Sequence, residues 1–156
     1  MKRGIKVMWV VIGILLLLIG IGFARIYIQN SQVPQLGIQG GQLAAVPESP
    51  NAVSTQTDDL GKKISPLPFK HDPESTMEAI IAAVKQYGGA RIIKQDRDYL
   101  YVVFTTPLMR FHDDAEFYLD ETNRLVHFRS SSRAGYSDMG LNRKRYDMLK
   151  EFYLTK

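Results

Sequence analysis

An uninterrupted apolar run near the N-terminus constrains this chain more than any other feature. Residues 7–24 read VMWVVIGILLLLIGIGFA and carry no charged side chain. A helix needs about 20 such residues to cross a hydrocarbon core of about 30 Å, so the run predicts a transmembrane helix within residues 1–28. The alternative is a cleaved signal peptide, because Gly22, Phe23 and Ala24 suit a signal peptidase. The length of the run favours the anchor.

The charges flanking the run predict its orientation. Lys2, Arg3 and Lys6 precede it, and only Arg25 follows it closely. Cytoplasmic flanks are enriched in such residues, so the N-terminus should be cytoplasmic and the rest of the chain exported. We therefore expect a single-pass protein of a bacterial inner membrane. Its C-terminal domain should be periplasmic or extracellular, and residues 7–24 should contact the bilayer.

The positive charge of the chain belongs to this N-terminal segment. The net charge is +4, from 20 basic and 16 acidic residues. Four of the basic residues precede residue 29 and no acidic residue precedes Glu48, which leaves residues 29–156 balanced. Long-range attraction to polyanions should be weak, so nucleic acid is not an expected partner. The absence of cysteine excludes disulfides and thiol chemistry.

Composition divides the remainder into a linker and a domain. Residues 29–47 are rich in Gln, Gly and Pro and carry no charge, which predicts a flexible linker. Residues 48–156 should form the exported domain. Within it, residues 48–69 follow neither helical nor strand periodicity and should be a loop laid along the domain surface.

Regular structure is predicted from residue 72 onward. Asp72 is a good N-cap, Pro73 fits the first helical position and Gly88 ends the helix. Alternating patterns then predict strands at 90–94, 99–105, 114–119 and 124–130. A second helix should begin near Leu141. The predicted fold class is α+β: an N-terminal transmembrane helix, then a four-stranded antiparallel meander with two helices packed on one face.

The other face of this sheet is rich in aromatic residues. Tyr99, Tyr101 and Tyr118 share a parity that places them away from the helices. We expect residues 48–69 to cover them, because a long connection of this kind must rest on something. The alternative is a groove for a lipid or another apolar partner.

Polar residues around the last strand suggest both a scaffold and a ligand site. Either plausible hairpin register sets Arg129 opposite a carboxylate, Asp114 or Glu116. The expected structural polar network contains Asp113, Asp114, Glu116, Arg129, Asp138 and Asn142. Arg133 lies beyond the strand and has no partner that pairing can supply. It is therefore the main candidate for binding an anion such as a lipid phosphate or a carboxylate, together with Tyr136, Arg143 and Arg145.

Signals for catalysis or metal binding are weak. His71, His112 and His127 lack the paired spacing of a zinc site, so no metal or cofactor is expected. The run Ser130–Ser132 lacks a Gly-x-Ser-x-Gly turn, and no catalytic residue is assigned. The alternative function is a hydrolase using His112, Asp113, Asp114 and Ser130–Ser132.

Three blocks resemble a known family. SPNAVSTQ, DYLYVVFTTPLMRFHDDAEFYLD and RSSSRAGYSDMGLNRKR are similar to the conserved blocks of the family called domain of unknown function 1499. This family commonly has Cys where the chain has Ala52, so any thiol role for that block is lost here. The resemblance implies an exported or membrane-associated α+β domain but no reaction. We therefore expect a binding or interaction module of the cell envelope, for a lipid, a small anionic ligand or an envelope protein.

Overall fold

A computed structural model describes residues 2–156, with side chains from Gly4 onward. Helix α1 spans Lys2–Ser31. Its segment Gly4–Ser31 is long and apolar enough to cross a membrane. The most apolar window of that segment has a mean hydropathy of 2.8, and none of its residues is buried. A signal sequence would pass the same test. The predicted orientation rests partly on Lys2 and Arg3, whose side chains lie outside the described residues.

The domain is an antiparallel sheet covered by two helices. The strands are β1 Ala52–Ser54, β2 Leu67–Pro68, β3 Ala90–Gln95, β4 Tyr99–Thr105, β5 His112–Asp120 and β6 Leu125–Ser132. Their order is β1-β6-β5-β4-β3, and β2 also pairs with β6. Helices α2, Pro73–Tyr87, and α3, Leu141–Leu154, complete the fold.

The α+β prediction is confirmed, but the prediction of a four-stranded sheet is wrong. The meander β3 to β6 is present, and β1 and β2 add to the outer edge of β6 in antiparallel register. These added strands have three and two residues. Such segments are too short to show a period-two pattern, which explains why the sequence predicts a loop there.

Local signals place α2 and α3 as predicted. The Asp72 carboxylate accepts a hydrogen bond from Ser75 N at 2.7 Å, and the Ser75 hydroxyl accepts one from Asp72 N at 3.1 Å. This capping box stabilises the helix start by about 0.5–2 kcal/mol. Gly88 ends α2 with φ of 80°, a conformation that glycine adopts readily. Helix α3 begins at Leu141.

Both helices pack on one face of the sheet, as predicted. Their buried residues, including Ile80 and Val84 of α2 and Leu149 of α3, join strand residues in a single core. The largest fully buried strand residues of that core are Phe104, Phe117, Phe128, Leu67, Leu100 and Leu119. Each such side chain contributes about 1.5–3 kcal/mol when removed from water.

The opposite face has its own smaller core. Tyr99, Tyr101 and Val103 of β4 pack against Leu43, with Leu36 and Ile38 beside it. The cover therefore comes from residues 36–43, within the predicted linker, and the prediction that residues 48–69 provide it is wrong. This uncharged segment packs on the sheet because burial of its apolar side chains is favourable. The division of the chain at residues 28 and 47 stays a prediction.

Candidate functional site

A tyrosine, a carboxylate and an arginine form a hydrogen-bonded set on this second face. Tyr99 donates to Glu116 Oε1 at 2.7 Å, and Arg129 Nη1 donates to Glu116 Oε2 at 3.3 Å. Glu116 lies directly opposite Arg129, in one of the two registers expected from the sequence. Burial raises the pKa of Glu116, whereas the hydrogen bond from Tyr99 and the charge of Arg129 act in the opposite direction.

A second set of the same kind lies next to the first. Arg133 Nε and Nη2 donate to the two oxygens of Asp114 at 2.8 and 2.7 Å. Tyr101 also donates to Asp114 and accepts from Arg133 Nη2 at 3.2 Å. Burial raises the pKa of Tyr101 to about 12, so it remains a donor at neutral pH. The bidentate pairing fixes the Arg133 guanidinium in place.

The expectation that Arg133 has no partner is therefore wrong. Main-chain pairing continues past β6, because Arg133 N donates to His112 O at 2.9 Å. That bond keeps Arg133 beside β5, where its side chain reaches Asp114. The role of Arg133 in ligand binding stays a prediction.

The other predicted ligand residues lie elsewhere. Arg145 is buried on the helix face, where Nη2 donates to Asp113 at 2.6 Å. Arg143 donates to the carbonyls of Gly61 and Lys63, at 2.8 and 3.1 Å. Tyr136 is 78% exposed. The predicted cluster around Arg133 is not assembled, because Arg145 and Arg143 point towards the sheet and a neighbouring turn.

Asp138 and Asn142 hold the start of α3. Asp138 Oδ2 accepts hydrogen bonds from Asn142 N and Nδ2 at 2.7 and 2.8 Å. The buried Asn142 amide also donates to Asn51 O at 3.0 Å and bonds the Ser130 hydroxyl. These contacts join α3 to β6 and to the segment before β1, so they serve the scaffold.

The residues of the hydrolase alternative are divided between the two faces. Ser130, Ser132 and Asp113 contact α3, whereas Asp114 lies on the opposite face. The His112 ring bonds Thr105 at 3.1 Å. Within residues 4–156, no serine forms a hydrogen bond with a histidine ring. This division follows from strand alternation.

One threonine, histidine and aspartate arrangement was not expected from the sequence. Thr55 Oγ1 lies 3.1 Å from His127 Nδ1, and His127 Nε2 lies 3.7 Å from Asp120. The Thr55 hydroxyl also donates to Phe128 O at 3.3 Å and accepts from Phe128 N at 3.0 Å. A hydroxyl held by the β6 backbone in this way has a structural role.

A recess of ≈ 440 Å³ at one end of the second face is lined by three arginines, and we call it the arginine recess. Its lining contains Arg91 from β3, Arg110 from the β4–β5 loop, His112 at the start of β5, and Arg133. The remaining lining residues are Gly89, Ala90, Val103 and Thr105, so no carboxylate lines it. Among residues 4–156, Arg91 and Arg110 form no ion pair.

The charges around the recess change the pKa of His112. Burial lowers the pKa of His112, and the guanidinium of Arg133 lowers it further. Arg110 and Arg91 act in the same direction, whereas Asp114 opposes them. The imidazole is therefore neutral at pH 7. The positive charge of the recess comes from its three arginines and not from His112.

Arg133 also lines a larger cleft of ≈ 570 Å³. Its walls come from residues 29–34, residues 45–51 and the end of β6. Arg129, Arg133 and Asp114 all line it, so a carboxylate offsets part of its positive charge. For an anion, the arginine recess offers the stronger attraction.

The end of α1 is attached to the rim of the recess. Asn30 Nδ2 donates to Arg110 O at 2.9 Å, and its Oδ1 accepts from His112 N at 2.8 Å. Asn30 follows the last residue of the apolar run, Ala24, by six positions, which is about 9 Å along a helix. The recess is thus placed close to the end of the apolar run.

The sequence does not predict this recess. Arg91 and Arg110 come from a strand and a loop with no shared motif, and the positive φ of Arg110, 56°, directs its loop in a way that composition does not reveal. No group of three or more His, Asp or Glu residues suited to a metal occurs in the described part of the chain.

Comparison with known proteins identifies a family but no function. No curated protein and no solved structure matches the chain. The sequence model of the family described as Protein of unknown function (DUF1499) matches residues 42–151. The match includes every strand and all three recess arginines, but not α1. The chain therefore belongs to the DUF1499 family.

Proposed function

We propose that this domain is a membrane-tethered module that binds a phosphate-bearing anion in the arginine recess. The observation that carries the proposal is the convergence of Arg91, Arg110 and Arg133 on a recess without a lining carboxylate. Guanidinium groups recognise phosphate through charge-assisted, often bidentate hydrogen bonds. An anion bound there would be an ionic partner for Arg91 and Arg110, which form no ion pair within residues 4–156.

The pairing of Arg133 with Asp114 supports this role. Arg133 uses Nε and Nη2 for its protein contacts, while Nη1 donates to no residue within 4–156. A guanidinium held on one edge loses little entropy when its other edge binds a ligand. Arg91 and Arg110 are exposed and supply charge, whereas Arg133 supplies fixed geometry.

The position of α1 favours a lipid headgroup as the source of the phosphate. Crossing of the bilayer by α1 would place Asn30, which bonds the main chain of Arg110 and His112, about 9 Å from the end of the apolar run and close to the layer of headgroups. We propose that this surface belongs to the cell envelope, with the N-terminus cytoplasmic and the domain on the outer side of a bacterial inner membrane. A soluble phosphate compound is the other source.

Calorimetric titration of methyl phosphate into the full chain, held in phosphatidylcholine nanodiscs, tests the proposal. We expect saturable binding that the double variant Arg91→Gln/Arg110→Gln weakens at least about tenfold, since each lost charged hydrogen bond is worth about 1.5–3 kcal/mol. Arg97→Gln is the matched control, because Arg97 is an exposed arginine paired with Glu121 and does not line the recess.

The lipid composition of the nanodiscs separates the two sources. Phosphatidylglycerol in the disc should compete with methyl phosphate if lipid headgroups reach the recess, and should leave its affinity unchanged if the ligand is soluble. An equal affinity of wild type and the double variant would contradict the proposal in either disc.

A further inference from the structure

The loop that joins β4 to β5 presents apolar side chains to solvent. Leu108 is 90% exposed and Met109 is 51% exposed, and both lie at the tip of the loop. The loop is ordered by its own hydrogen bonds: Thr106 N donates to Phe111 O at 2.9 Å, and Phe111 N donates to the Thr106 hydroxyl at 2.9 Å. An ordered turn that exposes leucine and methionine beside an arginine is typical of a surface that meets a partner.

The same loop is joined to the end of α1. Asn30 bonds the main chain of Arg110 and His112, the last loop residue but one and the first residue of β5. Ile26, Gln29 and Asn30 are half-buried, whereas residues 4–25 are exposed. This helical spacing means that one side of the last turns of α1 faces the domain, from only two residues beyond the apolar run.

We infer that the β4–β5 loop enters the headgroup region of the bilayer, with Leu108 and Met109 as its apolar contacts and Arg110 beside the phosphates. The inference rests on the proposed crossing of the bilayer by α1. The headgroup region is about 5–8 Å deep on each side. Asn30, which bonds the base of the loop, lies about 9 Å from the end of the apolar run, at the outer edge of that region. Apolar residues flanked by arginine are the composition that binds a phospholipid interface.

This second contact would fix how the domain faces the membrane. A single helix leaves a domain free to rotate, whereas a helix and a loop together define its orientation. Arg110 belongs to both the loop and the arginine recess, so loop insertion would turn the recess towards the lipid phosphates. The inference thereby extends the proposed function from an anion site to one that faces the bilayer surface.

Single labelled cysteines in the full chain test the inference, since the natural sequence contains no cysteine. The variants Leu108→Cys and Leu60→Cys carry an environment-sensitive fluorophore, in nanodiscs that contain phosphatidylcholine and phosphatidylglycerol. Leu60 is the matched control: it is 85% exposed, and the neighbouring Gly61 carbonyl is bound by Arg143 of α3, whereas the β4–β5 loop is bound by Asn30 of α1.

We expect nitroxide-labelled lipid to quench the label at position 108 several-fold more than the label at position 60, and aqueous iodide to show the reverse. Equal quenching at the two positions would overturn the inference. Methyl phosphate titration of Leu108→Ser in phosphatidylcholine discs measures anion binding separately from insertion of the loop. Retained binding together with an aqueous label at position 108 would reject loop insertion alone, and an inserted label without binding would reject the anion site alone.

Discussion

Replacing Asp114 by asparagine should lower stability and tighten anion binding at the same time. Asp114 accepts two hydrogen bonds from Arg133 and one from Tyr101, and only 3% of its side chain is exposed. Breaking a buried ion pair costs about 3–5 kcal/mol. We expect a value of about 3 kcal/mol, because the amide oxygen still accepts a hydrogen bond. For a domain of this size, that loss lowers Tm by about 10 °C.

The gain in affinity follows from the lost negative charge. Asp114 accepts from Nε and Nη2 of Arg133, so an anion bound at Nη1 would lie across the guanidinium from the carboxylate, roughly 7 Å away for two hydrogen bonds of ordinary length. At that distance, like charges repel by about 1–2 kcal/mol for effective dielectric constants between those of a protein surface and water. Asp114→Asn should therefore bind methyl phosphate about 5–30-fold more tightly than wild type, at low ionic strength.

Thermal unfolding and calorimetric titration of the full chain in nanodiscs measure both effects. Glu116→Gln is the control: it removes the negative charge beside Arg129 at a residue that does not line the recess, so it should lower Tm without tightening binding. An unchanged affinity for Asp114→Asn would refute the view that Arg133 faces a bound anion, and a weaker affinity would refute the view that the charge of Asp114 opposes that anion.

Three further predictions concern the same framework. Arg133→Ala should lower Tm and also weaken methyl phosphate binding, because it leaves Asp114 unpaired and removes one wall of the recess; thermal melts and calorimetry measure this. Burial lowers the pKa of both His112 and His127, so each binds a proton less readily folded than unfolded. Their contribution to stability is complete above the unfolded value of about 6.5 and is lost as pH falls below it, whereas His112→Gln/His127→Gln should lose less stability in urea melts between pH 7 and 5.5. Asp138→Ala should cost about 0.5–2 kcal/mol in the same melts, since its carboxylate accepts the Asn142 N–H in the first turn of α3.

Strong local signals explain which parts of the fold the sequence predicts. Asp72, Pro73 and Gly88 bound α2 because capping chemistry acts over a few neighbouring residues. Strand β4 has the bounds expected from its run of alternating residues between polar turns. By contrast, β1 and β2 form because the β6 edge offers unpaired hydrogen-bonding groups, and segments of two or three residues carry no period of their own.

The candidate site depends on contacts that are distant in sequence. Arg133 meets Asp114 only because the main chain continues to pair with β5 after Ser132. The recess itself unites Arg91 with Arg110 and Arg133, from a strand, a loop and the end of another strand. No spacing rule relates such positions, so the sequence offers Arg133 as a candidate without the neighbours that define its site.

Titration of His112 by NMR tests the central claim most directly, because this ring lies among the three recess arginines. In the full chain without ligand, its pKa should lie below the usual value of about 6.5. Saturating methyl phosphate should raise that pKa, since a bound anion stabilises the imidazolium. In Arg91→Gln/Arg110→Gln, the ligand-free pKa should be higher than in wild type and should no longer respond to methyl phosphate. A His112 pKa that does not change with methyl phosphate in the wild-type chain would contradict the claim that an anion binds in the arginine recess.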